Sequence, residues 1–198
     1  MIRCLLDVDG VLADFPSAAL RWLNGRCRAD GPEFTLDQIT QHDILKAVGR
    51  ENYQDAFDTW CHDTDMCRHL EVYPGAQKFI AELQTFADVV IVTKSYEKVR
   101  GWEHSRRAWL REHFGITKKN VAFIDRKELV QGDFFLDDKL PNVERWQAAW
   151  PSSIGMVFDR PWNQKADGRR ALSFSHALSY ARALADALKR ERAAKEQP

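Results

Sequence analysis

Two aspartates one residue apart close an apolar run in "CLLDVDGVLADF", residues 4–15. Neighbouring carboxylates repel, and a desolvated one is costly unless a cation or hydrogen-bond donors offset it. Asp7 and Asp9 therefore mark either a metal site or solvated acids at an ordinary strand exit. Three later stretches bear on the choice. "VTKS" sets Thr93, Lys94 and Ser95 behind an apolar run, "IDRK" sets Asp125 and Lys127 behind another, and "FLDDK" sets Asp137 and Asp138 behind a third. Acids, a hydroxyl and lysines brought to one place would make a site for a divalent cation and a phosphate. Hard oxygen ligands favour Mg²⁺, which keeps several waters and takes a phosphate oxygen as a further ligand.

These residues meet only if the segments before them are neighbouring strands. Ile2–Leu6, Val89–Val92, Val121–Ile124, Phe134–Leu136 and Ile154–Phe158 are near-continuous apolar blocks, the pattern of strands covered on both faces. Between them, "PGAQKFIAELQTF", "GWEHSRRAWLREHFG", "LPNVERWQAAW" and "SFSHALSYARALADALKR" have helical period, with Pro74 near one first turn and Gly115 as a C-cap. The alternation predicts an α/β fold, a doubly wound parallel five-stranded sheet that binds its ligand at the carboxyl ends of the strands. Residues 16–73 break the rhythm. They hold no strand pattern but three helical ones, Pro16–Arg28, Thr35–Val48 and Glu51–Cys67, with "ADGPE" as a turn. This predicts a core of residues 1–15 and 74–198 and a small helical cap of residues 16–73, inserted after the first strand.

Composition narrows the function. The 198 residues are 44% hydrophobic and 29% charged, ordinary for a globular protein. Lysine plus arginine and aspartate plus glutamate both number 29, so no overall field attracts polyanions, and no stable nucleic-acid complex is expected. The four cysteines form no CxxC pair, "MIRCLL" runs directly into a strand without signal-peptide features, and no apolar run approaches the roughly 20 residues of a membrane span. A reduced, cytoplasmic setting follows, with no membrane association. Cys61, His62, Cys67 and His69 match neither a zinc knuckle nor a helical histidine pair, and read as a helix end with free thiols. His104, His113 and His176 lie in helical patterns as surface or packing residues. The charged tail "KRERAAKEQP" is expected to fray.

"DVDGVLADF", Thr93, Lys127 and the Asp137-Asp138 pair, in this order at successive strand ends, resemble the four motifs of the haloacid dehalogenase superfamily of phosphotransferases. "YPGA", "RRAWLREHFG", "RKELVQGDFFLDD" and "FDRPWN" extend the likeness, over residues 2–164, to the 5'(3')-deoxyribonucleotidases within it. The resemblance implies roles that the chemistry supports. Asp7 would be the nucleophile, and Asp9 the general acid and base. Asp7, the backbone carbonyl of Asp9 and Asp138 would hold Mg²⁺, with Asp137 supporting them and Gly10 letting the chain turn beneath the phosphate. Thr93, Lys94 and Lys127 would bind the phosphoryl oxygens.

Phe15 and Trp60 match aromatic positions around the base in that family, where stacking is worth about 1–3 kcal/mol. "DMCRHLEVYPGA" lacks the family's paired aromatics, and Lys94 stands where a small hydroxyl is commoner, so base and sugar stay open. The expected activity is Mg²⁺-dependent hydrolysis of a (deoxy)nucleoside monophosphate through an aspartyl-phosphate. The partner would be a small-molecule phosphate ester and the chain a monomer or homodimer. Alternatives are a small phosphorylated metabolite or a 3'-phosphorylated nucleic-acid end as substrate, or a non-catalytic nucleotide-binding protein.

Overall fold

Each apolar block becomes a strand packed between helices. The structure, a computed structural model, describes residues 1–27, 31–96, 99–165 and 167–195. Its strands are β1 (Ile2–Leu6), β2 (Ala87–Thr93), β3 (Val121–Phe123), β4 (Phe134–Asp137), β5 (Ile154–Phe158) and β6 (Arg170–Ala171). Among the described residues they form one parallel sheet in the order β3-β2-β1-β4-β5-β6. The sheet has six strands where the sequence pattern predicts five. Only two residues long, β6 offers no apolar run to read; it exists by pairing Arg170 and Ala171 with Val157 and Phe158. Strand order reverses at β1, so β1 and β4 flank the crevice where doubly wound sheets bind ligands. Asp7 and Asp137-Asp138 stand at those two strand ends.

Alternate residues of each strand face opposite layers. Cys4, Leu6, Val89, Ile91, Phe134, Leu136 and Met156 face one side. There they pack on α5 (Ala76–Leu83), α6 (Trp102–Phe114) and α8 (Phe174–Lys195). Leu5, Val92, Phe135 and Val157 face α7 (Leu140–Ala149) through Val143 and Trp146. Helix α8 continues to Lys195 on a run of exposed Ala, Arg, Glu and Lys, all good helix formers; residues 196–198 of the tail expected to fray lie outside the described ones.

The segment after β1 is helical, but more broken than its periodicity predicts. The first helix, α1, runs Phe15–Arg26, capped by the Asp14 carboxylate accepting from Ser17 N–H; Arg28 and the first two residues of the turn that follows lie outside the described residues. In place of one helix over Thr35–Val48 there is a 3₁₀ turn, Leu36–Gln38, and then α2 (Ile44–Ala47). The Gln38 side chain accepts from Thr35 N–H, and the Asp43 side chain accepts from Lys46 N–H to begin a new helix. Glu51–Cys67 likewise splits. Its pieces are a 3₁₀ turn at Glu51–Tyr53, α3 (Gln54–Cys61) and α4 (Thr64–Arg68), with the Asp63 carboxylate capping the last by accepting from Asp65 N–H. At Asp43 and Asp63 a side-chain acceptor inside an otherwise helical pattern caps a free backbone amide and starts a new helix.

Candidate active site

The pairing of β1 with β4 sets the spacing of the acids. Leu6 lies beside Leu136 in register, and Asp7 N–H donates to Leu136 O at 3.0 Å, which carries the first carboxylate one step past the sheet. Val8, Val11 and Leu12 are fully buried and anchor the loop beneath, while Gly10 N–H closes it onto Ala13 O. Lys127 reaches across from the loop after β3. Its Nζ lies 2.7 Å from Asp7 Oδ1 and 2.7 Å from Asp137 Oδ2, with all three residues buried. Burial works against the ammonium, but Asp137 and Asp7 more than offset it and hold Lys127 above the ordinary lysine range.

The two aspartates of the pair have different duties. Asp137 is fully buried and saturated with donors, accepting from Lys127, from Lys139 N–H at 2.8 Å and from Asn142 Nδ2 at 3.0 Å. Asp138 accepts from Trp162 Nε1 at 2.8 Å on one oxygen. Ligand oxygens of Asp7, Asp137 and Asp138 lie within 4.8 Å of one another. Burial raises Asp7 to about 6, with Lys127 pulling it down and Asp137 pushing it up. Burial, then Asp137 and Asp7, push Asp138 well above the usual carboxylate range. Buried carboxylates crowded in this way favour a cation, and an all-oxygen donor set fits Mg²⁺. With Asp137 committed to Lys127 and α7, Asp7 and Asp138 are the side chains with oxygens left for a metal.

Gly10 is required twice over. Its φ is +79°, and a Cβ there would lie 2.2 Å from Asp138 Oδ2. Its carbonyl accepts from Arg160 Nε at 2.6 Å, and the Arg160 guanidinium stacks 3.8 Å over the Tyr73 ring.

Asp7, Asp9, Gly10, Thr93, Lys94, Lys127 and Asp138 all line one cavity of about 530 Å³, the size range of small-molecule sites. Thr93 is buried at the end of β2. Lys94 is different: its side chain is 68% exposed and pairs with Asp125 at 3.1 Å, a solvent-screened contact at the cavity mouth. Phe15 and His42 form part of the cavity wall from the helical segment. Trp60 does not line the cavity. Its ring lies behind Phe15, with centroids 5.8 Å apart, and also packs on Trp22 and Phe57. Cys61, His62, Cys67 and His69 form no metal cluster among the described residues, and the four cysteines are free and buried.

Sequence reasoning missed Arg106, Arg160, Trp162 and Asn163. The last three lie in "FDRPWN", quoted for its family likeness but given no role. Asn163 Nδ2 donates to both Asp138 O and Phe158 O at 2.8 Å, tying the loop after β5 to the acidic pair. The period of α6 does carry a signal for Arg106, which stands four residues after Trp102 and three before Trp109 on the stripe that is buried.

Residues 1–184 match the family described as 5' nucleotidase, deoxy (pyrimidine), cytosolic type C. The chain belongs to this family. Relatives include a Bacillus subtilis 5'(3')-deoxyribonucleotidase, 28% identical over 161 residues that cover 80% of this chain and 86% of the relative. A human 5'(3')-deoxyribonucleotidase of cytosolic type is 29% identical over 163 residues, 79% of each chain. Among solved structures, a haloacid dehalogenase family hydrolase from Deinococcus radiodurans, with bound phosphate and sodium, superposes with a TM-score of 0.62 at 14% identity. That match covers 93% of this chain and 97% of the other, and it establishes the shared fold. The family places the chain among the phosphoric monoester hydrolases.

Two predictions follow from the geometry of this family member. Asp7 is raised from an ordinary value of 3.8 to about 6, so the fold disfavours its charged form. Its contribution to stability is fully present below the ordinary value and is lost as pH rises through about 6. In chelator at neutral pH, Asp7→Asn should therefore be more stable than the parent, and the advantage should vanish toward about pH 4. Denaturant unfolding across that range checks it, and parallel curves for the two proteins would contradict it. Second, Gly10→Ala should lower kcat/KM by about 100-fold, the scale expected when reacting groups are displaced by about 1 Å. Steady-state kinetics on the folded variant give the answer.

Proposed function

We propose that the protein is a Mg²⁺-dependent phosphomonoesterase that hydrolyses a (deoxy)nucleoside monophosphate to nucleoside and phosphate through an aspartyl-phosphate on Asp7. The observation that carries this reading is the Asp7 carboxylate, buried at the topological switch point with one oxygen fixed by Lys127 and facing a cavity of nucleotide size. Family membership supports the substrate class.

Substrate phosphate would enter with its oxygens toward Thr93 and Lys127, whose hydroxyl and ammonium meet the charge that builds in the transition state. Asp7 attacks phosphorus as the bond to the leaving oxygen breaks, and Asp9 delivers a proton to that oxygen. Asp9 then takes a proton from the incoming water, which displaces phosphate and frees the Asp7 carboxylate. General acid–base catalysis of this kind contributes roughly 10²–10⁴-fold. Asp7, Asp138 and the Asp9 backbone carbonyl would hold Mg²⁺, which supplies Lewis-acid polarisation of a phosphoryl oxygen and partial charge neutralisation. Phe15 would stack on the base from the cavity wall, backed by Trp60. Retention of both Asp7 and Asp9 argues against a non-catalytic binding protein. The free, buried cysteines support a reducing, cytoplasmic compartment, and no helix of the described residues is long and apolar enough to cross a membrane.

Phosphate release across nucleoside monophosphates and sugar phosphates tests the reading. Nucleotides should be the better substrates, chelator should stop turnover, Mg²⁺ should restore it, and Ca²⁺, which takes more ligands at longer distance, should not substitute. Full activity in excess chelator would overturn the metal assignment. Phe15→Ala should cost about 10- to 100-fold in kcat/KM for the best nucleotide, the worth of one stacked base, and much less for 4-nitrophenyl phosphate. Trp60→Ala should be milder, since it acts through Phe15. Equal losses on both substrates would remove Phe15 from the base site.

A further inference from the structure

Among the described residues Arg106 is the most deeply buried cation outside the acidic cluster, with a side chain only 1% exposed. It stands on α6 between two fully buried tryptophans, its guanidinium carbon 5.0 Å from the Trp102 ring centre and 5.7 Å from that of Trp109. A single nitrogen, Nη2, donates to both oxygens of Asp9 at 2.9 Å. Among the described residues its Nε and Nη1 are buried with no hydrogen-bond partner of ordinary geometry. The Cys67 thiol interacts with the Arg106 side chain, and burial pushes it up to about 11 against the pull of that charge.

Burying a guanidinium with one carboxylate partner is expensive, and an apolar side chain of similar volume would fill such a pocket at lower cost. The arrangement returns no full set of hydrogen bonds. What it does deliver is a fixed Asp9. The Asp9 side chain is 33% exposed and lines the cavity, so without a partner it would be free to turn among rotamers. Held from behind by Nη2, each carboxylate oxygen still keeps a lone pair for the cavity side.

We propose that Arg106 is a positioning residue for the reaction: it locks the Asp9 carboxylate in the orientation from which it exchanges a proton with the leaving oxygen. The inference rests on the phosphatase reading above and on Asp9 as its acid and base. Arg106 keeps its own protons throughout. In the first step Asp7 forms a bond to phosphorus, the bond to the leaving oxygen breaks with its electron pair, and that oxygen takes the Asp9 proton. A misaligned Asp9 slows this step in proportion to how much the leaving group needs the proton. A nucleoside hydroxyl needs it strongly, whereas 4-nitrophenolate is a stable anion and leaves without it.

The experiment compares kcat/KM, which reports the first phosphoryl transfer, for a deoxynucleoside 5'-monophosphate and for 4-nitrophenyl phosphate. Arg106→Met, neutral and of similar bulk, should lower the nucleotide value by about 100-fold and the ratio of nucleotide to 4-nitrophenyl phosphate by at least about tenfold. Arg106→Lys, which keeps the charge, should recover part of that ratio. In an Asp9→Asn background Arg106→Met should change neither value further, because the two act as a unit. Equal losses on both substrates with unchanged circular dichroism, or additive losses with Asp9→Asn, would make Arg106 a structural cation and overturn the inference. If Arg106→Met does not fold, the same comparison is read from Arg106→Lys, where an unchanged ratio alongside a reduced nucleotide rate overturns it. A parent protein that released phosphate from neither substrate would instead sink the phosphatase reading itself.

Discussion

The ammonium of Lys127, set between Asp7 and Asp137, is the contact on which the rest of the site depends. One buried cation neutralises part of a cluster that could not otherwise hold three carboxylates within a few ångströms. It also divides their labour. Asp137, closed off by Lys127, Lys139 N–H and Asn142, becomes a fixed post, while Asp7 keeps an oxygen facing the cavity. Burial, with residual repulsion among the carboxylates, raises Asp7 and Asp138, and a divalent cation would offset both. On the proposed mechanism, stability is given up at this place for a nucleophile held ready in low dielectric.

Around that contact the fold acts as a positioning frame. Strand order reversal opens the crevice, register between β1 and β4 sets the two acidic strand ends side by side, and Gly10 lets the loop pass within van der Waals reach of Asp138. The loop after β5 closes the frame from the far side. Arg160 grips the Gly10 carbonyl, Trp162 orients Asp138, and Asn163 bonds its backbone. Polar groups committed in this way fix side-chain rotamers, which is what separates a reactive arrangement from a mere collection of acids.

Much of this was legible in the sequence, because the signals were strong and local. Short runs of near-continuous Val, Ile, Leu and Phe fit strands covered on both faces, and in a parallel sheet the polar residues that follow them fall at one edge. The losses have physical causes. A strand of Arg170 and Ala171 has no pattern of its own and is made by its neighbour. Asp43 and Asp63 sit in helical patterns as ordinary polar-face residues, yet each captures free backbone amides and starts a new helix. Trp60 was placed at the cavity by its motif position, but three neighbouring rings give it a better home. Arg106 falls on the apolar stripe of α6 between Trp102 and Trp109, but its partner Asp9 is 97 positions away in the chain and only the fold brings the two together.

The central claim is that phosphate passes through a covalent bond to Asp7, and chemical quench of a single turnover tests it most directly. Substrate carrying radiolabelled phosphate would be mixed with excess enzyme, quenched in acid, digested and mapped. The account predicts label on the peptide that contains Asp7, released by hydroxylamine as an acyl phosphate is, and absent from Asp7→Asn. Turnover of bound substrate to free phosphate with no label on that peptide at any quench time, or label on a different residue, would contradict it.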